Sequence, residues 1–173
     1  MFKTALYHLF VPSGRTDRKT FWLTLAVFST LVVAFRAGLF MNDPAGVFYF
    51  WGFLIWMTML FCGTFAVYGK RLKDFGRSVL MIILLITAIL AVLMVIMLAN
   101  GGAEYFDAYS QYDRQATIDP EIRRAINARY QEQMASAGTL VTGTISAMLV
   151  GFTLWVGLTP GDKGDNRYGP PPR

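Results

Sequence analysis

Four long stretches of the chain, 21–35, 44–69, 78–103 and 133–161, contain no charged residue. A helix needs about 20 apolar residues to cross the hydrocarbon of a bilayer. The pattern therefore predicts four spanning helices at roughly 21–41, 47–68, 79–98 and 139–158. The first would be roughly 31 Å long at about 1.5 Å per residue, which matches the hydrocarbon thickness. Asn42-Asp43-Pro44 reads as a short turn between the first two, with Pro44 ending one helix and opening the next. Phe48, Tyr49, Phe50, Trp51, Phe53 and Trp56 crowd the start of the second, as aromatic rings do at a headgroup level.

Residues 100–136 break the pattern with six acids and four arginines. Within them Asp119-Pro120-Glu121 is a helix start, because aspartate caps and proline is favoured at the first helical position. Ile122, Ile126 and Tyr130 then recur four apart, which predicts an amphipathic helix lying on the membrane or leading into the last span. The expected fold class is all-α: an integral-membrane four-helix bundle forming a single domain over 1–173, with this additional amphipathic segment between helices 3 and 4. In the last span Thr139, Gly143, Ala147 and Gly151 fall on one face, and small residues at that spacing let helix backbones approach closely in lipid. That stripe is the expected helix-packing face, more readily within the chain than against another copy.

Composition agrees with a membrane protein. Hydrophobic residues are 54% of the 173 and charged residues 16%, against about 25% charged in soluble domains. The net charge of +5 is better read as topology than as nucleic-acid binding, because Lys and Arg collect on the side of the membrane where they remain during insertion. With four spans, the leader, the 70–77 loop and the tail share one side and hold eleven basic residues, against five elsewhere. Both termini are therefore expected in the cytoplasm of a bacterial cell, with the chain in its inner membrane. The first apolar stretch is longer than the roughly 7–15 residues of a signal-peptide core, so it reads as an uncleaved helix.

Candidate chemistry changes this picture little. His8 is the single histidine, and Cys62 lies inside a span, so no metal site, cofactor site or catalytic triad is expected. Residues 161–166 lack the twelve-residue ligand pattern of a calcium loop. Arg36 sits inside one end of the first span, where it either snorkels to the headgroups or marks a buried pathway.

Three stretches on the cytoplasmic side stand out: GRTDRKTFW at 14–22, RLKDFGRS at 71–78 and TPGDKGDNRYGP at 159–170. In order and spacing they resemble the bacterial inner-membrane family called domain of unknown function 805, with its "GRxxRxxFW", "RLHDxGRS" and "PGxxGxNRFGP" patterns, over essentially the whole chain. Lys73 stands where a histidine is common, and Val79-Leu80-Met81 replaces a small residue and tryptophans. The resemblance implies a topology and no established activity. The residues themselves suggest a cytoplasmic ion-pair and lipid-headgroup cluster of Arg15, Arg18, Arg71, Lys73, Asp74, Arg77, Asp165, Asn166 and Arg167, with Arg71, Asp74 and Arg77 on one face wherever the helix continues.

The function expected is that of a non-enzymatic membrane scaffold or accessory subunit. Its partners would be anionic lipids, at about 1 kcal/mol per basic residue near the surface, and other inner-membrane proteins, but no nucleic acid. The alternatives are a small oligomeric transporter or channel using Arg36, and a lipid-headgroup enzyme using Asp74, Asp162 or Asp165.

Overall fold

The computed structural model describes residues 9–112 and 118–172. Its described residues form helices joined by turns and loops, with no strand among them. We label the helices α1 (Arg18–Phe40), α2 (Val47–Asp74), α3 (Leu80–Met97), α4 (Ala103–Ser110) and α5 (Pro120–Leu158). Among the described residues, four helical stretches are long and apolar enough to cross a membrane: α1, α2, Leu80–Ser110 and α5. The chain is thus an all-α, multi-pass membrane protein with the number of spans that the charge-free stretches predict.

The chain divides into two compact units, Met1–Ile83 with Thr153–Arg173, and Leu84–Phe152. In the first, α1 opens on Asp17, whose carboxylate accepts the Lys19 N–H at 3.2 Å. α1 and α2 form a hairpin, with the Phe28 ring occupying the space that a side chain on Gly63 would need. The Trp56 indole N–H donates to the Val32 carbonyl at 3.1 Å. Near the turn of the hairpin the Arg36 guanidinium lies 3.7 Å from the Phe40 ring centroid and 5.5 Å from that of Trp56, and it donates to the Tyr49 hydroxyl at 3.4 Å. Phe21 is fully buried against the edges of Trp22 and Tyr68.

α2 continues six residues past the expected end of its span, so Lys70, Arg71, Lys73 and Asp74 stand on helix rather than on a loop. Basic side chains in its last turn complement the negative end of the helix dipole. The stop follows from Gly76, at φ +70°. Gly76 N donates to Lys73 O at 3.2 Å and Arg77 N to Leu72 O at 2.9 Å, the paired bonds of a Schellman cap, which favours glycine at the left-handed position.

The second unit holds the rest of α3, a kink within Leu98–Gly102 where Asn100 and Gly101 leave helical backbone angles, α4 and most of α5. α5 begins where Asp119-Pro120-Glu121 predicts, with the Glu121 N–H donating to Asp119 Oδ1 at 2.7 Å. It runs unbroken for 39 residues, so the amphipathic segment leads directly into the last span. At about 1.5 Å per residue this helix is nearly twice the hydrocarbon thickness, so it is longer than one span requires. Against its charged N-terminal part α4 places Tyr105, its ring tilted against those of Tyr109 and Tyr130 at 4.8 and 4.7 Å between centroids, while Arg129 pairs with Glu104 at 2.9 Å. Thr139, Gly143, Ala147 and Gly151 are all exposed, and nothing lies within 4 Å of a side chain built on either glycine. Within the second unit no described residue covers the expected packing stripe.

Candidate functional site

At the end of the first unit opposite the hairpin turn, α2 delivers Arg71 and Asp74 side by side, three residues apart and one helical turn from the Schellman stop. The leader brings Arg15 to the same carboxylate. Arg15 donates through Nε to Asp74 Oδ1 at 3.3 Å and pairs with it through Nη2 at the same distance, while Arg71 Nη1 pairs with Asp74 Oδ2. All three side chains are at least 96% withdrawn from solvent. Removing an ion from water costs several kcal/mol even after relaxation, roughly, and only good geometry with full hydrogen bonding repays it.

That condition is met largely by backbone carbonyls. Arg15 Nη1 donates to Gly164 O and Gly169 O, both at 2.9 Å. Its Nη2 donates to Asp74 O at 3.1 Å and Asp162 O at 2.6 Å. The five N–H donors of one guanidinium are thus matched by five acceptors. Arg71 reaches Val156 O at 3.2 Å, Thr16 O at 3.3 Å and Thr159 O. Val156 and Leu158 are among the last residues of α5, whose final carbonyls have no partner within the helix. Arg71 takes the first of these, and Arg18 lies at 3.5 Å from the second.

The tail is thereby folded back onto α2. Asp162 N donates to Asp74 O at 2.8 Å, and Gly161 passes so close to the Asp74 carboxylate that no side chain fits there. Asn166 Nδ2 donates to Lys73 O at 3.0 Å and Asp162 Oδ2 at 2.7 Å, while its Oδ1 accepts the Tyr168 N–H at 2.9 Å. Arg167 Nη2 donates to Gly76 O at 3.0 Å, and its guanidinium stands 4.7 Å from the Tyr168 ring centroid. Lys73 Nζ donates to Pro12 O at 2.6 Å. The result is a clasp in which leader, α2, the end of α5 and tail share one set of hydrogen bonds.

Among the residues singled out from the sequence, Arg15, Arg71 and Asp74 form the buried centre. Asn166, Lys73 and Arg167 make the surrounding bonds to backbone carbonyls. Arg18 is exposed and reaches the α5 terminus, and Arg77 and Asp165 are exposed. The charge pattern marked Asp162 only as a candidate for headgroup chemistry and left it out of the cluster, although it anchors the tail through backbone and side chain. Nor did it distinguish Thr16 and Lys70, both buried. It carries no signal for carbonyl acceptors, which are the majority here. Among the described residues no group of three or more His, Cys, Asp or Glu side chains could hold a metal.

A family described as "Protein of unknown function (DUF805)" matches residues 9–112, more than half of the chain. The chain belongs to that family. The DUF805 match includes the leader and the α2 end that supply Arg15, Arg71 and Asp74, and stops before the tail that closes over them. No curated protein and no solved structure matches the chain. In this DUF805 member the two motifs inside the matched region therefore meet on one carboxylate, and the third, outside it, is held by the same guanidinium.

Proposed function

We propose that this protein is a non-enzymatic, multi-pass protein of a bacterial inner membrane, with both termini cytoplasmic, serving as a scaffold or accessory subunit whose clasp presents a basic collar to anionic lipid. The observation that carries this reading is Arg15, whose donors are all spent on the protein's own carboxylate and carbonyls. The clasp spends its buried charges on fixing chain segments, which supports a structural role. Outside it, Arg18, Lys19, Arg77, Lys163 and Arg167 are exposed, at the end of the spans where headgroups lie, and each is worth about 1 kcal/mol near an anionic surface. Arg36, enclosed by Phe40, Trp56 and Tyr49, supports an anchoring role for the one arginine inside a predicted span.

Affinity purification of the full chain in mild detergent, followed by identification of co-purifying proteins and lipids, tests the proposal. Recovery with anionic lipid or a membrane partner is the expected result. A bare monomer free of both, or a lipid profile altered in cells lacking the Asp74 carboxylate at normal protein level, would overturn it.

A further inference from the structure

A groove of about 570 Å³ lies beside the clasp, within the first unit. It falls inside the roughly 300–1,000 Å³ range of ligand sites. Its walls are Phe65 of α2 and Val79, Leu80 and Ile83 at the start of α3, and its polar end carries Lys73 and Ser78. We propose that this groove holds one anionic phospholipid, an acyl chain lying between Phe65 and Ile83 and the phosphate meeting the Lys73 ammonium and the Ser78 hydroxyl.

The two ends differ in chemistry as the two ends of a lipid do. Lys73 has three N–H donors, and among the described residues its hydrogen bond is to Pro12 O, which leaves donors for a phosphate oxygen. Ser78 Oγ accepts the Leu80 N–H at 3.2 Å, so its own proton is free to donate. Arg77, next in sequence, is exposed, and the start of α3 adds the positive end of a helix dipole. No acidic side chain lines the groove. Phe65, Leu80 and Ile83 stand on helices apolar enough to span a membrane, so an acyl chain enters from the bilayer without crossing water. A soluble anion would satisfy Lys73 and Ser78 but leave Phe65, Leu80 and Ile83 uncovered.

This inference rests on the lipid-binding reading above and sharpens it to one retained molecule. The collar predicts many weak contacts that salt removes. The groove predicts a single lipid per chain that survives salt and depends on shape as well as charge.

Native mass spectrometry of the full chain in detergent tests this, with phosphatidylglycerol and phosphatidylcholine of identical acyl chains as probes and inorganic phosphate as a separate arm. One phosphatidylglycerol per chain should be retained, and phosphatidylcholine about tenfold less, because its choline cation cancels the headgroup's net charge and with it the attraction of Lys73 and Arg77 for an anionic lipid. Ile83→Trp fills the groove without changing any charge and should abolish retention. Lys73→Ala should weaken it about tenfold, the lower end for loss of a charge-assisted hydrogen bond. A folded Ile83→Trp chain that still retains its lipid, equal retention of phosphatidylcholine, or displacement of the lipid by inorganic phosphate alone would overturn the proposal. On the wild-type chain, a diazirine-bearing phosphatidylglycerol should label Phe65 or 79–83, and labelling confined elsewhere would overturn it independently of any variant. Salt-sensitive binding of several lipids without a retained one would sink the groove and leave the collar standing; loss of both would sink both.

Discussion

Arg15 and Asp74, 59 positions apart, meet twice, through the carboxylate at 3.3 Å and through the Asp74 carbonyl at 3.1 Å. The same aspartate holds Arg71, so two buried cations depend on one anion. Asp74→Ala leaves both uncompensated, and breaking a buried pair costs about 3–5 kcal/mol. The variant should therefore lose a large part of the stability measured by thermal unfolding in detergent, and trypsin should cleave at Lys163 and Arg167 before the spans unfold. A variant as stable and as protease-resistant as the parent would show that the clasp does not hold the tail.

Arg15→Lys separates charge from geometry. The ammonium has three donors on a flexible stem in place of five in a planar fork, so it keeps the ion pair with Asp74 and abandons some of the carbonyls of Asp162, Gly164 and Gly169. Tail protection should fall while the spans keep their helicity by circular dichroism. Unchanged protection would mean that charge alone organises the clasp.

The sequence made the spans legible because charge-free length is a one-dimensional property, and the α5 start was legible because capping is local. The end of α2 was not. Lys70, Arg71, Lys73 and Asp74 look like a loop by polarity, yet they continue the helix because basic residues suit a helix C-terminus and only Gly76 stops it. The roles of Arg15 and Arg71 were half visible: their charge marks them, but their partners are mostly carbonyls, and a carbonyl has no residue identity. The small-residue stripe of α5 has the right spacing for packing, but spacing does not say which neighbour a face meets.

Asp17 connects the leader to α1. Its burial raises the carboxyl pKa, but hydrogen bonds from the Thr20 hydroxyl and from the Lys19 and Thr20 N–H groups outweigh this and hold it below 3.8. A carboxyl depressed by folding adds stability above its unfolded pKa and loses it as pH falls through the folded value. The stability difference between the parent and Asp17→Ala, typically about 1 kcal/mol for a cap, should be full at neutral pH, begin to fall near the ordinary value of 3.8 and be lost as pH drops through the lower folded value. A difference that persists in acid would mean that the aspartate does not act as an ionised cap.

Arg36 is coupled to rings, which a double-mutant cycle measures directly. Arg36→Met, Phe40→Leu and the double variant should give a coupling of about 0.5–2 kcal/mol in unfolding free energy. Zero coupling would detach the guanidinium from Phe40 and restore the case for a charge lining a pathway.

Two glycines of α5 make opposite demands on the same helix. Around Gly143 there is open space to at least 4 Å, whereas a side chain on Gly157 would run into Trp22 and Phe21. Alanine favours helix over glycine by about 0.8–1.0 kcal/mol in an exposed interior position. Gly143→Ala should therefore leave the purified chain as stable as the parent or slightly more so. Gly157→Ala must displace rings packed at the base of α1 and should lower stability by about 1–3 kcal/mol, the usual cost of overpacking. Thermal unfolding of the two variants in one detergent decides it. A destabilising Gly143→Ala would mean that the exposed stripe is covered in the protein as purified, and hence that a second chain packs there.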